Sequence, residues 1–177
     1  NEEILKKLYE PFKTYAESIK KARNGNLKMS LQNLNKIIKK YKNNFFLLET
    51  KADILFSHGY TDEAVKFYKI NLEEYPSNYY AQIRIFENIE IKNLSSSETE
   101  IIFQNNKDLL YKYFNNKNVL FKYIEIAQKL NKKEWLKFFN FFLTINEIEK
   151  EIFETEIKNF KKTKNKDLLK LINIIQD

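Results

Sequence analysis

The chain has 177 residues, of which 43% are hydrophobic and 31% are charged, enough for one domain with a buried core. Two glycines and two prolines are too few for the turns of a β-sandwich, and the glycines do not form a phosphate-binding loop. Without cysteine, and with His58 as the single histidine, disulfides, thiolate nucleophiles and His-His zinc sites are excluded. The composition predicts an all-α protein. Because no coherent acid-base or nucleophile set is visible, we expect that this chain is not itself an enzyme and has no catalytic, metal-binding or cofactor-binding residues.

The net charge of +7 comes almost entirely from lysine, because Arg23 and Arg84 are the only arginines. Recognition of phosphates and base edges favours the guanidinium fork. Abundant Lys, Asn and Ile instead fit A/T-rich codons and a solvated lysine surface. The excess of bases is concentrated in residues 1–44, which gives weak support to an acidic partner there. Nucleic-acid binding by this basic first hairpin is therefore the less favoured alternative.

The predicted elements of the first half are all helices, separated by short polar breaks. Pro11 fits a helix start, and Thr61 and Ser77 fit N-caps. Asn24, Gly25 and Asn26 form the first clear break. The predicted helices span residues 2–9, 11–22, 27–41, 45–57, 61–75 and 77–92.

The second half continues the helical pattern with less regular breaks. Ser97-x-x-Glu100 predicts a capping box, and Asn105-Asn106 predicts a break in the helix over 101–114. Asn131 stands where a turn glycine is expected. Thr144-x-x-Glu147 predicts a second capping box, with helices to about 162 and over 167–175. No apolar run approaches the length of a membrane span, and no signal peptide is visible. The first residue is Asn rather than Met, so we expect a processed protein or a fragment.

The breaks recur with a fixed period. Gly25 and Gly59 are 34 residues apart, as are Leu34 and Tyr68, and 34 is the tetratricopeptide spacing. We therefore expect a single domain over 1–177, a right-handed tetratricopeptide-like superhelix of antiparallel helix hairpins with about nine or ten helices. Its predicted parts are an N-terminal helix at 1–10, repeat 1 at 11–44, repeat 2 at 45–78, a degenerate repeat 3 at 79–117, repeat 4 at 118–144 and capping helices at 145–177.

Several segments resemble one particular family. The run from Tyr15 to Ile19, the turn at Gly25 and the stretch 43–55 resemble the tetratricopeptide segment of BepA-like bacterial zinc metalloproteases. The resemblance covers about residues 12–92 and 118–175. It implies the non-catalytic C-terminal part of a larger protease, because the family's HExxH signature is absent and His58 is followed by glycine. Such a part would engage substrates or partner proteins or gate the protease.

Two alternatives remain beside the family interpretation. The chain could be a free-standing adaptor or chaperone-like scaffold, or a basic nucleic-acid-binding domain. The resemblance implies a periplasmic protein, whereas a free-standing adaptor would be cytoplasmic. In either protein-binding case the partner is a protein or peptide, and the protease domain of the same polypeptide is one candidate.

The candidate partner-binding residues lie on the first helices of the repeats, which line a concave surface in tetratricopeptide arrays. We expect Arg84 to form an internal salt bridge with Glu49, Asp53 or Glu87 rather than to contact a ligand. The polar candidates are favoured over the apolar ones, since regularly spaced apolar residues are usually core. The predicted binding residues are Tyr15, Ile19, Arg23, Glu49, Asp53, Phe56, Tyr80, Arg84, Glu87, Lys122 and Glu125, with Phe46 and Phe121 beside them.

Three other features carry expectations. His58 is expected to be an exposed loop histidine. The carboxylates from Glu147 to Glu156 are expected to form the solvated face of an amphipathic helix. The phenylalanine-rich run from Trp135 to Leu143 is apolar on more than one face, and we hypothesise that it packs against a missing partner.

Overall fold

The computed structural model describes residues 2–41, 44–144 and 150–176, with side chains over 12–41, 44–144 and 151–175. Within these ranges every regular element is a helix, which confirms the all-α class. The α-helices are α1 Glu2–Arg23, α2 Leu27–Lys40, α3 Phe45–Ser57, α4 Thr61–Glu74, α5 Tyr79–Glu87, α6 Ser96–Asn105, α7 Lys107–Tyr113, α8 Lys117–Lys129, α9 Lys133–Leu143, α10 Lys150–Phe160 and α11 Lys166–Gln176. A 3-10 helix occupies Ile91–Asn93.

The chain divides into two compact units, unit 1 over Asn1–Asn88 and unit 2 over Ile89–Asp177. Unit 1 contains α1 to α5, and unit 2 contains the 3-10 helix and α6 to α11. The boundary falls inside the segment 79–117, which was predicted as one degenerate repeat.

Three hairpin turns share one backbone geometry. Gly25, Gly59 and Asn131 have φ values of 78°, 82° and 53°, in the left-handed region. After each of them the next amide donates to the carbonyl five residues back, as in the bond from Tyr60 to Leu55 at 3.0 Å. This is the pattern of a Schellman helix end, which favours glycine and admits asparagine. The prediction that Asn131 replaces a turn glycine is confirmed.

Asparagine side chains cap three helices of unit 1, namely α2, α3 and α5, where other residues or none were expected. The carboxamide oxygens of Asn26, Asn44 and Asn78 accept from the amides of Met29, Leu47 and Ala81. Asn78 therefore replaces the predicted cap Ser77. The predicted cap Thr61 is wrong as well, because the Schellman turn at Gly59 places Tyr60 in the cap position without a side-chain bond.

Several predicted helix boundaries are wrong. Helix α1 is continuous through Pro11, since the φ of proline is itself helical. The cost of this proline includes the loss of one amide donor. Helix α5 ends at Glu87 rather than near residue 92, because Asn88 caps it and donates from its carboxamide to the carbonyl of Arg84 at 2.7 Å.

The predicted break at Asn105-Asn106 is confirmed, but the capping box before it is formed by Ser95 and Glu98 instead of Ser97 and Glu100. Two Ser-x-x-Glu patterns overlap in this run. The first is selected because the helix starts at Ser96, which leaves Ser95 with the extended backbone of a cap residue. The second predicted box, at Thr144, cannot be compared, because Glu147 lies outside the described residues.

The core of unit 1 is built where small residues let helices approach. Ala52, Ala64 and Ala81 are fully buried and belong to one cluster with Leu55 and Tyr68. A second cluster joins Ala22, Leu34 and Ile54 from α1, α2 and α3. The order of packing is therefore α1 on α2, α2 on α3, α3 on α4 and α4 on α5.

The core of unit 2 is aromatic. Four aromatic side chains of α9 are buried within the unit's own fold, namely Trp135, Phe138, Phe139 and Phe142. The ring of Phe103 meets that of Trp135 edge-on, with 5.5 Å between the ring centres. The hypothesis that this run packs against a missing partner is therefore wrong. A helix can be apolar on more than one face when α8, α10 and their neighbours cover those faces, as the ring contact of Phe138 with Phe160 shows. On α10, Glu151 and Glu154 are exposed, as expected for a solvated face.

Candidate functional site

A polar cluster centred on Asp53 joins three helices of unit 1. The hydroxyl of Tyr68 on α4 donates to Oδ1 of Asp53 on α3, and the hydroxyl of Tyr80 on α5 donates to the same oxygen at 2.8 Å. Tyr68 is fully buried, whereas Tyr80 is 39% exposed. One carboxylate oxygen is therefore held by two neutral donors, and the position of Asp53 relative to α4 and α5 is set by them.

Arg84 extends this cluster along α5. Its Nε donates to the hydroxyl of Tyr80 at 3.1 Å, and its Nη1 forms a salt bridge with Glu87 at 3.3 Å. The guanidinium carbon also lies 5.0 Å from the ring centre of Phe56 and 5.3 Å from that of Tyr80. The expected internal salt bridge of Arg84 is confirmed, with Glu87 as its partner. The cation–π contact with Phe56 holds the guanidinium against α3.

An aromatic contact joins α1 to α3. The ring centres of Tyr15 and Phe46 are 5.2 Å apart, and the side chain of Phe46 remains 47% exposed. Ile19 packs partly buried against the core, one helical turn after Tyr15. Phe12, on the same stripe of α1, is 72% exposed and is the most exposed large apolar side chain among the described residues.

A hydrogen-bonded pair of asparagine carboxamides connects the three helices next to this cluster. Buried Asn71 on α4 donates to the carbonyl of Phe45 at 2.9 Å and accepts from Asn78 at 3.2 Å. Asn78 also donates to Glu49 at 2.9 Å while its oxygen caps α5. The start of α3, the end of α4 and the start of α5 are thus tied together, and Glu49 is held by this network.

The structure places most of the predicted binding residues on one surface of unit 1, which we call the first-helix face. Tyr15 and Ile19 lie on α1, Glu49, Asp53 and Phe56 on α3, and the others on α5, and contacts join α1 to α3 and α3 to α5. We define the first-helix face as Phe12, Tyr15, Ile19, Phe46, Glu49, Asp53, Phe56, Tyr80, Arg84 and Glu87.

The electrostatics keep the phenols of this face protonated. Burial raises the pKa of Tyr68 far above its usual value, and the hydrogen bond to Asp53 raises it further. Burial also raises the pKa of Tyr80, against the hydrogen bond from Arg84, which lowers it, and the bond to Asp53 adds to the rise. Burial of Arg84 disfavours its charge, yet Tyr80, Tyr68 and Glu87 more than offset this and raise its pKa. Both phenols therefore stay protonated across the physiological range and can donate hydrogen bonds to Asp53.

The remaining predicted residues lie elsewhere. Arg23 ends α1 and is exposed. Lys122 and Glu125 form an ion pair at 2.9 Å on α8 of unit 2, where Lys122 also donates to the carbonyl of Ile89 at 2.8 Å. These two side chains contact each other, and Lys122 anchors the segment before the 3-10 helix. Phe121 beside them is 55% exposed.

The expectation that His58 is exposed is wrong, although it does lie in the turn after α3. His58 is half-buried and caps the end of α3, with Nδ1 at 2.8 Å from the carbonyl oxygen of Ile54. Its Nε2 lies 3.1 Å from the carbonyl oxygen of Ala22, at the end of α1. The 34-residue period places the two helix ends side by side, so that one ring can bridge their terminal carbonyls.

Sequence reasoning missed the residues that position the face. Tyr68 was singled out only for its 34-residue spacing from Leu34, and neither Asn71 nor Asn78 was predicted to support a site. The feature that could have indicated them is a polar group on a side chain that is expected to be buried, because a buried hydroxyl or carboxamide requires a hydrogen-bond partner. Phe12 was noted as an apolar helix residue, and its exposure could not be read from the spacing.

The described residues contain no group of three or more His, Asp or Glu side chains placed to hold a metal ion. In the same ranges no helix is long and apolar enough to cross a membrane. Comparison with models of protein families, with curated proteins and with solved structures finds no match.

Proposed function

We propose that unit 1 is a non-catalytic protein-interaction domain whose first-helix face binds a polypeptide segment. The observation that carries the proposal is the gathering of exposed aromatic rings, carboxylates and a stacked guanidinium from three separate helices on one surface. Protein interfaces are enriched in aromatic residues and arginine at their centres. Arg84 belongs to this face in a chain whose other arginine is Arg23.

The face is suited to binding because its groups are already held in place. Asp53 is positioned by two hydroxyls, Arg84 by stacking and a salt bridge, and Glu49 by the carboxamide of Asn78. A partner would therefore meet side chains whose rotamer entropy has largely been lost on folding. The exposed rings of Phe12 and Phe46 provide apolar area that water covers in the free chain.

We also propose the finer fold, a tetratricopeptide-like superhelix. The matching Schellman turns at Gly25 and Gly59, one 34-residue period apart, support it for unit 1. The equivalent turn at Asn131 supports a further hairpin of α8 and α9 in unit 2. An experimental structure in which superposition of α1–α2 on α3–α4 requires no common superhelical rotation would contradict this fold.

The larger context of the domain is proposed from the resemblance to BepA-like metalloproteases. In that setting the first-helix face would engage substrate or the protease domain and regulate access to its zinc site. The coding sequence upstream of Asn1 provides the test, since an HExxH helix there supports the protease and its absence supports a free-standing adaptor.

The binding face is tested by photo-crosslinking in cells. A benzoylphenylalanine placed at Phe46 or Phe12 should form adducts with a polypeptide, whereas the probe at Ile70 serves as the matched control. Ile70 is 42% exposed on α4 and lies off the first-helix face. Adducts of equal yield at Ile70, or none at Phe12 and Phe46, would refute the assignment of this face.

A second set of variants tests the chemistry of the face. Phe46→Ala should reduce recovery of the crosslinked partner in a pull-down with the full chain, because exposed rings at an interface contribute most of its binding energy. Ile70→Ala removes comparable apolar surface and should leave the recovery unchanged. Both variants should keep the far-UV circular dichroism of the parent, since each side chain is more than two-fifths exposed.

A further inference from the structure

The charge of unit 1 is strongly segregated along the chain. Residues 12–41, which include most of α1 and all of α2, contain eight Lys or Arg residues and a single acid, Glu17. Residues 44–88 contain four bases and seven acids. The basic hairpin therefore has a local net charge of +7, while the rest of unit 1 is acidic. A uniform codon bias toward lysine does not explain a difference of this kind within one compact unit.

Most cations of the basic hairpin are solvent-exposed and lack a carboxylate partner among the described residues. Seven of the eight are exposed and Lys21 is half-buried, and no salt bridge joins any of them to another described residue. Four ion pairs do form elsewhere in the described chain, for example between Lys132 and Glu100 at 3.0 Å. Carboxylates thus pair with Lys107, Lys122 and Lys132 in unit 2, whereas α2 contains no acidic residue.

Three of these lysines form a stripe along helix α2. Lys28, Gln32, Lys36 and Lys39 follow at intervals of four, four and three residues, which places them on one face, and all four are exposed. The stripe extends over about 16 Å, from the rise of 1.5 Å per residue. Lysines close to each other on one helix face repel, and Lys28 lies in the first turn, where the helix dipole disfavours a cation. The arrangement is unfavourable for the isolated helix, and an external polyanion would relieve it.

The composition of the stripe identifies the class of polyanion. Protein interfaces are depleted in lysine and need an apolar centre, yet Met29 is the only large apolar side chain exposed on α2. Insertion into a lipid surface requires bulky apolar groups on the face that meets the bilayer. Contacts to nucleic-acid phosphates need neither, and interfaces with nucleic acid are polar and strongly positive.

We propose that the α1–α2 hairpin binds the phosphate backbone of a nucleic-acid duplex without reading its sequence. Lysine contacts a phosphate as a point charge, and the stripe has no arginine fork for a guanine edge and no aromatic ring on which an unpaired base could stack. The lysine stripe of α2 shares no residue with the first-helix face and differs from it in chemistry, so it adds a second activity to the proposed protein interaction.

The test measures the salt dependence of binding of the full chain to a fluorescein-labelled 20-base-pair DNA of mixed sequence. With at least four phosphate contacts, the plot of log affinity against log salt should have a slope of about −4 or steeper. Lys28→Gln, Lys36→Gln and Lys39→Gln combined should reduce the slope by about 3, since each lost contact contributes about 0.9. The exposed, unpaired side chains allow these changes without loss of fold.

A matched control separates the stripe from net charge. Lys66→Gln, Lys69→Gln and Lys137→Gln combined remove the same charge from exposed lysines of α4 and α9 and should leave the slope unchanged. Equal slopes for the two triple variants would overturn the proposal, as would no binding at 50 mM salt or a tenfold preference between two duplex sequences. Tighter binding to phosphatidylglycerol vesicles or to polyglutamate, lost in the stripe variant, would assign the surface to a membrane or an acidic protein and overturn it too.

Discussion

Tyr68→Phe isolates the hydrogen bond that positions Asp53. The phenylalanine keeps the buried ring and its contact with Tyr80, whose ring centre is 6.3 Å away, and removes only the hydroxyl. Hydrogen bonds to a charged group contribute about 1.5–3 kcal/mol. Asp53 is only half-buried and keeps the hydroxyl of Tyr80, so the lower end applies and we expect a loss of about 1.5 kcal/mol.

The assay is urea unfolding of the full chain followed by circular dichroism at 222 nm. Tyr80→Phe removes the second donor of the same carboxylate oxygen, but water can replace this hydroxyl because Tyr80 is 39% exposed. It should therefore cost about 0.5 kcal/mol, in the range of a solvent-accessible hydrogen bond. The ratio of the two losses tests the role of burial directly.

A double-mutant cycle with Asp53→Ala attributes the loss to the specific pair. Tyr68→Phe should cost little in the Asp53→Ala background, because the acceptor is already gone. The reasoning would be refuted by equal losses for Tyr68→Phe and Tyr80→Phe, or by a Tyr68→Phe loss that persists in full without Asp53.

Three further predictions concern stability and are measured by the same unfolding assay. Gly59→Ala should lower the free energy of unfolding by about 1 kcal/mol, because φ at Gly59 is +82° and no atom lies near the added Cβ, so that only backbone strain opposes the change. Gly59→Asn should lower it by less, because asparagine tolerates this φ better. Ser30→Ala should stabilise the chain by about 1 kcal/mol, since the fully buried hydroxyl of Ser30 has no hydrogen-bond partner. The control Ser18→Ala should give no such gain, because equally buried Ser18 donates to a carbonyl at 2.7 Å; a similar gain in both would contradict the argument. The stability contributed by the buried tyrosines should be constant from neutral pH to about pH 10 and be lost above it, because burial raises the pKa of Tyr68 and raises that of Tyr111 to about 12, so the unfolded chain releases these protons first. A stability that rises with pH between 10 and 12 would contradict these shifts.

Boundary errors arose where two local solutions were equally compatible with the sequence. Ser95 and Ser97 both begin a Ser-x-x-Glu pattern, and Ser77 and Asn78 both offer a capping oxygen. The helix start makes each choice: α6 begins at Ser96, so Ser95 is the cap and Ser97 lies inside the helix, whereas α5 begins at Tyr79, so Asn78 is the cap and Ser77 lies before it. The patterns restrict the cap to a few positions, and the path of the chain selects among them.

The basic hairpin is the case in which sequence and structure must be combined. The charge count over residues 1–44 was visible from the start, and lysine codon bias seemed a sufficient reason for it. Exposure and pairing change that interpretation, because Lys107, Lys122 and Lys132 of unit 2 have carboxylate partners while the lysines of α2 have none among the described residues. Two of these three partners, Asp167 and Glu100, are distant in sequence from the lysine they pair with.

The amino-acid sequence by itself determined the all-α class, the period of the hairpins in unit 1 and the turn residues Gly25, Gly59 and Asn131. These features are local, since helical periodicity and a left-handed φ are encoded within a few neighbouring residues. Tertiary structure alone decided that Tyr68 and Tyr80 share Asp53, that His58 bridges the ends of α1 and α3, and that the phenylalanines of α9 are buried. Such contacts join residues separated by up to 36 positions, and they exist only when the packed helices bring a donor and an acceptor, or two apolar faces, to the same place.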